Sequence, residues 1–93
     1  MTKRVEYSER ALRNLEGIKA YIAQDNPAAA LQVVTALTSA ANDLSTHPML
    51  GNPWKREGTR KLVIPKYPYV IIYRLTASAV FVLAVAHQSM KMA

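Results

Sequence analysis

Residues 58–74 read GTRKLVIPKYPYVIIYR, and this stretch contains two of the strands that decide the fold. Both runs are rich in β-branched and aromatic residues, and Pro65 and Pro68 lie between them, as is typical of strands joined by a turn. Basic residues and tyrosines are interspersed among the apolar ones and do not form a separate segment. The stretch therefore predicts a compact sheet that carries a cationic recognition surface.

The rest of the predicted sheet follows from the same kind of pattern. Val5 and Tyr7 flank Glu6 and predict a short first strand. Residues 48–58 contain two prolines and two glycines and are expected to form a loop. Short connections in the C-terminal half favour an antiparallel meander. Its three strands are predicted at about 59–64, 69–75 and 80–87.

Two helices are predicted between the first strand and the loop. Ser8 fits an N-cap, and Asn26 with Pro27 fits the start of a second helix. Apolar residues recur every three or four positions in both: Leu12, Leu15, Ile18 and Ile22, then Val33, Leu37, Ala40, Ala41 and Leu44. The predicted fold class is α+β in a single domain, residues 1–93, with the order β-α-α-β-β-β. A helical hairpin packs on one face of a mainly antiparallel sheet.

The apolar pattern of the sheet raises the question of what covers its second face. A sheet with helices on one face should alternate apolar and polar residues. Residues 70–72 and 80–86 are instead apolar at successive positions. Because the chain supplies only one helical layer, we expect the second face either to curl on itself or to be covered by a partner chain.

The net charge of +6 arises entirely in the second half of the chain. Basic and acidic residues balance in residues 1–46, whereas residues 47–93 contain seven basic residues and Glu57 as their one acidic residue. An asymmetry of this kind predicts an acidic partner, either nucleic acid or an acidic protein segment. The alternative is a basic surface that serves solubility alone.

Composition excludes several kinds of chemistry. The chain has no cysteine, its only histidines are His47 and His87, and its six acidic residues are scattered. No Gly-rich phosphate loop and no nucleophile elbow is present, so we expect no metal site, no cofactor and no catalytic triad. The sequence lacks an apolar run of about 18 residues and a signal-peptide pattern, so we expect no membrane contact and a cytoplasmic location.

A group of cations and tyrosines remains as the candidate site. Such a group can hold phosphates, stack on bases or, with one member as general base, assist RNA cleavage. Its members are Arg60, Lys61, Lys66, Tyr67, Tyr69, Tyr73, Arg74, His87 and Lys91. Each has a structural alternative. Tyr69 and Tyr73 share a strand face with Ile71 and fit a core, His87 fits a histidine bonded to backbone, and the pair at 55–56 fits a solvated loop.

Six segments, in this order and spacing, are typical of one superfamily. They are SERALRNL at 8–15, YIAQDNPAAA at 21–30, HPMLG at 47–51, GTRKLVIP at 58–65, YPYVIIYR at 67–74 and VLAVAH at 82–87. With them the chain resembles the RelE/ParE superfamily of bacterial toxins from type II toxin–antitoxin modules over nearly its whole length. The order β-α-α-β-β-β predicted from the residues agrees with the fold of that superfamily.

The resemblance implies one of two activities. RelE-like members cleave mRNA on the ribosome with a basic cluster on the sheet and a C-terminal segment bearing arginine and an aromatic or histidine residue. ParE-like members inhibit DNA gyrase and are not known as nucleases. Here Val70 stands where RelE-like chains commonly have an arginine, and after His87 the chain offers only Lys91 as a cation. The resemblance is therefore closer to ParE-like members.

A ParE-like chain is expected to be a gyrase inhibitor and not an enzyme. Its partners would be DNA gyrase and a ParD-like antitoxin, and it would contact DNA only through one of them. An acidic antitoxin segment would fold onto the sheet. The predicted partner-binding residues are Arg60, Lys61, Lys66, Tyr73, Arg74 and His87.

Two alternatives stay open at this point. A RelE-like ribonuclease would cleave with Arg60, Lys61, Arg74, His87 and Lys91. A protein-binding module without toxicity would use the same basic surface only to hold a partner.

Overall fold

The computed structural model describes residues 2–89, and in them two helices pack on one face of a five-stranded sheet. None of these helices is long and apolar enough to cross a membrane. The elements in chain order are β1 (Arg4–Tyr7), α1 (Glu9–Ala23), α2 (Pro27–Asp43), β2 (Asn52–Pro53), β3 (Thr59–Val63), β4 (Tyr69–Leu75) and β5 (Ala79–His87).

Both helices begin at the residues that the sequence predicts. The Ser8 hydroxyl accepts a hydrogen bond from the Ala11 N–H at 3.0 Å, and the side-chain oxygen Oδ1 of Asn26 accepts one from the Ala29 N–H at 3.1 Å. Each bond satisfies a backbone donor that the first helical turn leaves without a partner. Pro27 occupies the first turn of α2, where its missing N–H costs nothing.

The sheet has the strand order β1-β5-β4-β3-β2, and its strands pair antiparallel except for the parallel pair β1 and β5. The predicted fold class is confirmed, with one additional strand. That strand, Asn52–Pro53, pairs with Arg60 and Lys61 inside the segment expected to be a loop. Two residues that include a proline give no periodic signal, and proline is confined to sheet edges. Because β2 is so short, the outer edge of β3 beyond Lys61 has no strand partner among residues 2–89.

The core lies between the helices and one face of the sheet. Leu15 from α1 and Leu37 from α2 meet Tyr69, Ile71 and Tyr73 of β4 there. Alternate residues of β4 share this face because side chains alternate across a strand.

The second face of the sheet carries a smaller apolar cluster, defined by Val70, Ile72, Ala84 and Ala86. Trp54, from the β2–β3 connection, packs against it together with Leu83. The members of the cluster are at most 8% exposed. At this cluster the second face is therefore covered from within the chain, by Trp54 and Leu83, which is one of the two expectations for this face.

A β-bulge explains why β5 reads as a continuous apolar run. Tyr73 pairs with Val82 and Ile72 pairs with Ala84, so Leu83 is an extra residue on β5. The bulge reverses the alternation along the strand. Core-facing residues are thus even-numbered before it and odd-numbered after it, as Val82 and Val85 show.

Candidate functional site

Tyr73 fixes the loop that follows α2. Its side chain is fully buried, its hydroxyl donates to the Pro48 carbonyl at 2.8 Å, and the same oxygen accepts from the Gly51 N–H at 2.9 Å. The Arg60 Nε donates to the Gly51 carbonyl at 2.9 Å. In this fold Tyr73 therefore supports the loop and offers no surface to a partner, which corrects its place among the predicted partner-binding residues.

The fixed loop presents apolar side chains at the surface. Met49 is 64% exposed and Leu50 is 56% exposed. Leu50 lines a cavity of about 340 Å³ with Ala40 of α2 and with Val63, next to the unpaired outer edge of β3. Open apolar surface beside an unpaired strand edge is typical of a protein-binding site.

A second cavity continues this surface toward the start of α2. It measures about 510 Å³ and is lined by Leu31, which is 60% exposed, by Ala36, and by Lys66 and Tyr67 of the β3–β4 turn. The Lys66 Nζ lies 5.7 Å from the centroid of the Tyr67 ring, a cation–π contact. We call the two cavities together the α2 groove. Its lining includes Leu31, Ala36, Ala40, Leu50, Val63, Lys66 and Tyr67, and one acidic residue, Asp43.

His87 lies at the end of β5, where it pairs with Tyr69 of β4. Its Nδ1 accepts from the Ser89 N–H at 3.1 Å and lies 2.7 Å from the Ser89 hydroxyl. Its ring meets the Tyr69 ring edge-on, with centroids 5.6 Å apart. The backbone bond matches the structural alternative for this histidine, although its side chain also lines an open cavity of about 640 Å³ between α1 and β5.

Two tyrosines in this structure hold their protons more tightly than usual. Burial raises the pKa of Tyr69, and the neighbouring Tyr21 raises it further. Burial alone raises the pKa of Tyr7. Both groups are therefore neutral at physiological pH, and neither is prepared to act as a general base.

The predicted basic residues do not converge on one point. Arg60 shares the helix-covered face with its strand neighbour Tyr73, whereas Lys61 and Arg74 lie on the second face. His87 pairs with Tyr69, five residues along β4 from Arg74, which places the two about 17 Å apart along the strand. Lys91 lies outside the described residues. Lys66 lies in the β3–β4 turn and lines the α2 groove.

The structure also forms a basic cavity that the sequence did not indicate. It lies on the second face, measures about 290 Å³ and is lined by Arg10, Trp54, Arg56, Thr59, Ile72, Leu83 and Ala84. Arg10 belongs to the charge-balanced N-terminal half, and Arg56 fitted a solvated loop. The parallel pairing of β1 with β5 brings them together: the Ser8 N–H donates to the Val82 carbonyl at 2.9 Å, which places the start of α1 beside β5.

Solved structures of known proteins share this fold. A chain from the structure of the chromosomal ParDE toxin–antitoxin system of P. aeruginosa superposes with a TM-score of 0.82 and 19% identity, covering 92% of this chain and 96% of that one. The RelBE2 toxin–antitoxin complex of Mycobacterium tuberculosis contains a chain that superposes with a TM-score of 0.68 and 26% identity. The match covers 94% of this chain and 99% of that one. The architecture is thus shared with chains of two toxin–antitoxin systems.

Sequence relatives agree with this class. A Sinorhizobium fredii protein named "Putative toxin Y4kP" is 41% identical over 91% of this chain and 88% of its own length. "Toxin RelE2" of Caulobacter vibrioides is 32% identical over 89% of this chain and 92% of its own length. The family model for the ParE toxin of the type II toxin–antitoxin system, parDE, matches residues 5–92. The chain belongs to this ParE toxin family, and the resemblance to the RelE/ParE superfamily is confirmed.

Proposed function

We propose that this ParE-family toxin inhibits DNA gyrase and is neutralised by a ParD-like antitoxin. The observation that carries the proposal is the second face of the sheet. Val70, at the position where RelE-like chains commonly have an arginine, is 5% exposed and lies in an apolar cluster beneath Trp54. A side chain in this environment cannot stabilise charge on a reacting phosphate.

The dispersal of the cations supports the same conclusion. Stabilising a cleaving phosphate requires several donors that are fixed around it at hydrogen-bond distance. Arg60 is instead engaged with the Gly51 carbonyl, and Arg74 and His87 lie on different faces and about 17 Å apart along the sheet. An inhibitor that acts by binding gyrase needs a binding surface, but it does not need several cations fixed around one phosphate.

A ribosome-dependent ribonuclease is the second candidate, because two of the similar proteins have RelE names. These are Toxin RelE2, at 32% identity, and the RelBE2 complex, at 26%. In this chain the ribonuclease would have to assemble its site from Lys61 and Arg74 on the second face, with Lys91 from the C-terminal end.

The α2 groove is the surface that we assign to the antitoxin. Its apolar lining would receive apolar side chains of an antitoxin segment, and the unpaired edge of β3 would accept backbone hydrogen bonds from it. Lys66 at the groove and Arg60 beside Met49 would meet its carboxylates. The sequence placed this docking on the second face, whereas the structure leaves more exposed apolar surface along α2.

A pair of assays distinguishes the two activities. Purified toxin should inhibit DNA supercoiling by gyrase and accumulate cleaved DNA when gyrase is present. Primer extension on translated mRNA should show no codon-positioned cuts. Cuts without any effect on supercoiling would replace the gyrase proposal with the ribonuclease. Unchanged growth on induction of the chain would favour the non-toxic binding module.

A further inference from the structure

We propose that the basic cavity on the second face binds a phosphodiester of single-stranded nucleic acid. This goes beyond the expectation that the toxin contacts DNA only through gyrase or the antitoxin. It assigns a direct nucleic-acid subsite to Arg10, Trp54 and Arg56, and it can be tested without gyrase.

The composition of the cavity matches this ligand. Arg10 and Arg56 bring two guanidinium groups to one cavity, and a guanidinium can bind phosphate oxygens through two parallel hydrogen bonds. Ile72, Leu83 and Ala84 supply an apolar floor that suits a sugar or the edge of a base. The indole of Trp54 lies beside them, and aromatic rings next to basic groups are the usual elements of single-strand binding sites.

The surrounding charge favours an anion. Lys61 and Arg74 lie on the same face as the cavity, and the Lys55 Nζ lies 5.4 Å from the centroid of the Trp54 ring. Among residues 2–89, neither Arg10 nor Arg74 forms an ion pair with a carboxylate. The positive potential of this face is therefore available to a ligand.

The size of the cavity favours one unit of a polymer over a free small molecule. At about 290 Å³ it lies at the lower end of the roughly 300–1,000 Å³ typical of small-molecule sites. One phosphate and its sugar would fill it, and the flanking cations Lys61 and Arg74 would meet the neighbouring phosphates. An acidic peptide is the less favoured ligand because the exposed apolar surface that a protein segment needs lies in the α2 groove.

The test uses Trp54, which is the only tryptophan of the chain, as a built-in reporter. The purified full chain is titrated with a single-stranded deoxyuridylate oligomer of about ten nucleotides, and then with the matching uridylate oligomer, which differs from it only by the 2′-hydroxyl. Tryptophan fluorescence should change and saturate. The logarithm of affinity should fall with the logarithm of salt concentration with a slope of about −2.1, as expected for three phosphate contacts, one in the cavity and one each at Lys61 and Arg74. Equal binding of the two oligomers indicates recognition of phosphate, and a preference for uridylate indicates a contact with the 2′-hydroxyl.

Arg10→Gln and Lys19→Gln form a matched pair of variants. Both replace an exposed cation on α1, but Lys19 lines none of the cavities described above. Arg10→Gln should weaken oligomer binding about tenfold and reduce the salt slope by about 0.7, whereas Lys19→Gln should change affinity by less than about twofold. Unchanged thermal unfolding would show that both variants are folded.

Two results would overturn the proposal. Equal losses in the two variants would mean that nucleic acid responds only to net charge. Binding of a polyglutamate peptide as tightly as the oligomer, with the same sensitivity to Arg10→Gln, would assign the cavity to carboxylates. Gyrase inhibition is measured separately, so oligomer binding without gyrase inhibition refutes the proposed function and leaves this site in place.

Discussion

The backbone N–H of Gly51 donates to the hydroxyl of Tyr73 over 2.9 Å, and this bond joins the core to the most exposed apolar loop of the described chain. The same hydroxyl donates to the Pro48 carbonyl at 2.8 Å. A buried phenol thus determines where Met49 and Leu50 stand. If the antitoxin binds at the α2 groove as proposed, its affinity will depend on Tyr73, which is fully buried.

The substitution Tyr73→Phe tests whether the Tyr73 hydroxyl holds the loop that contains Pro48 and Gly51. The ring would keep its packing, but the buried N–H of Gly51 would lose its acceptor, so we expect a loss of about 1–3 kcal/mol in the free energy of unfolding. Urea denaturation measures it. Tyr21→Phe is the control, since Tyr21 is 73% exposed, and should change stability by less than about 0.5 kcal/mol. Equal effects of the two changes would contradict the role given to Tyr73.

Substitution by alanine should have opposite effects on stability at two glycines, Gly51 and Gly17. A Cβ at Gly51 would lie 2.7 Å from the Tyr73 hydroxyl and 2.9 Å from the Lys61 carbonyl, so Gly51→Ala should destabilise the chain by about 1–3 kcal/mol. At Gly17, inside α1, a Cβ would have nothing within 4 Å. Gly17→Ala should stabilise by up to about 1 kcal/mol, because alanine favours a helix interior more than glycine does. Thermal unfolding of both variants provides the comparison, and a neutral Gly51→Ala would show that the loop has room to shift.

Leu50→Asp tests the α2 groove as the antitoxin surface. The carboxylate would face the apolar contact, so affinity for the cognate antitoxin should fall at least about tenfold by calorimetry. Leu12→Asp is matched to it, since Leu12 is 50% exposed, lies on α1 and lines no part of the groove. Stability should be nearly unchanged in both, because the two leucines are already exposed. If only Leu12→Asp weakened binding, the antitoxin surface would have to be moved to α1.

Stability should decrease in alkaline solution. Burial raises the pKa of Tyr69 and of Tyr7 in the folded chain above the ordinary value of 10.0, so the folded state holds these protons more tightly than the unfolded state does. The stabilisation is complete below pH 10 and is lost as the pH rises from there through the folded-state pKa values. Urea denaturation at increasing pH should show this fall, and Tyr69→Phe with Tyr7→Phe should make it less steep. An unchanged slope in the double variant would exclude these groups as its cause.

Most helices and strands of this fold could be predicted from the local sequence. Ser8 and Asn26 marked both helix starts because a capping side chain bonds to backbone only three residues away. The three long strands were visible from their β-branched runs. β2 was not, since two residues that pair across a sheet edge leave no period to detect.

The candidate site was harder to predict from the sequence, because its residues come together only through long-range strand pairing. Arg60 and Lys61 are adjacent in sequence and looked like one basic pair, yet a strand directs neighbours to opposite faces. Arg10 and Arg56 looked unrelated, and both line one cavity because β1 pairs with β5.

By itself, the sequence determined the α+β class, the starts of both helices, the concentration of positive charge in the second half and membership of the toxin superfamily. These follow from composition and from interactions over a few residues. Only the tertiary structure decided that Trp54 packs against the cluster that contains Val70 and Ile72, and that Leu31 and Leu50 stay exposed at the α2 groove. Which face a side chain occupies, and what lies over it, depends on strand register and on the Leu83 bulge, which local propensity does not specify.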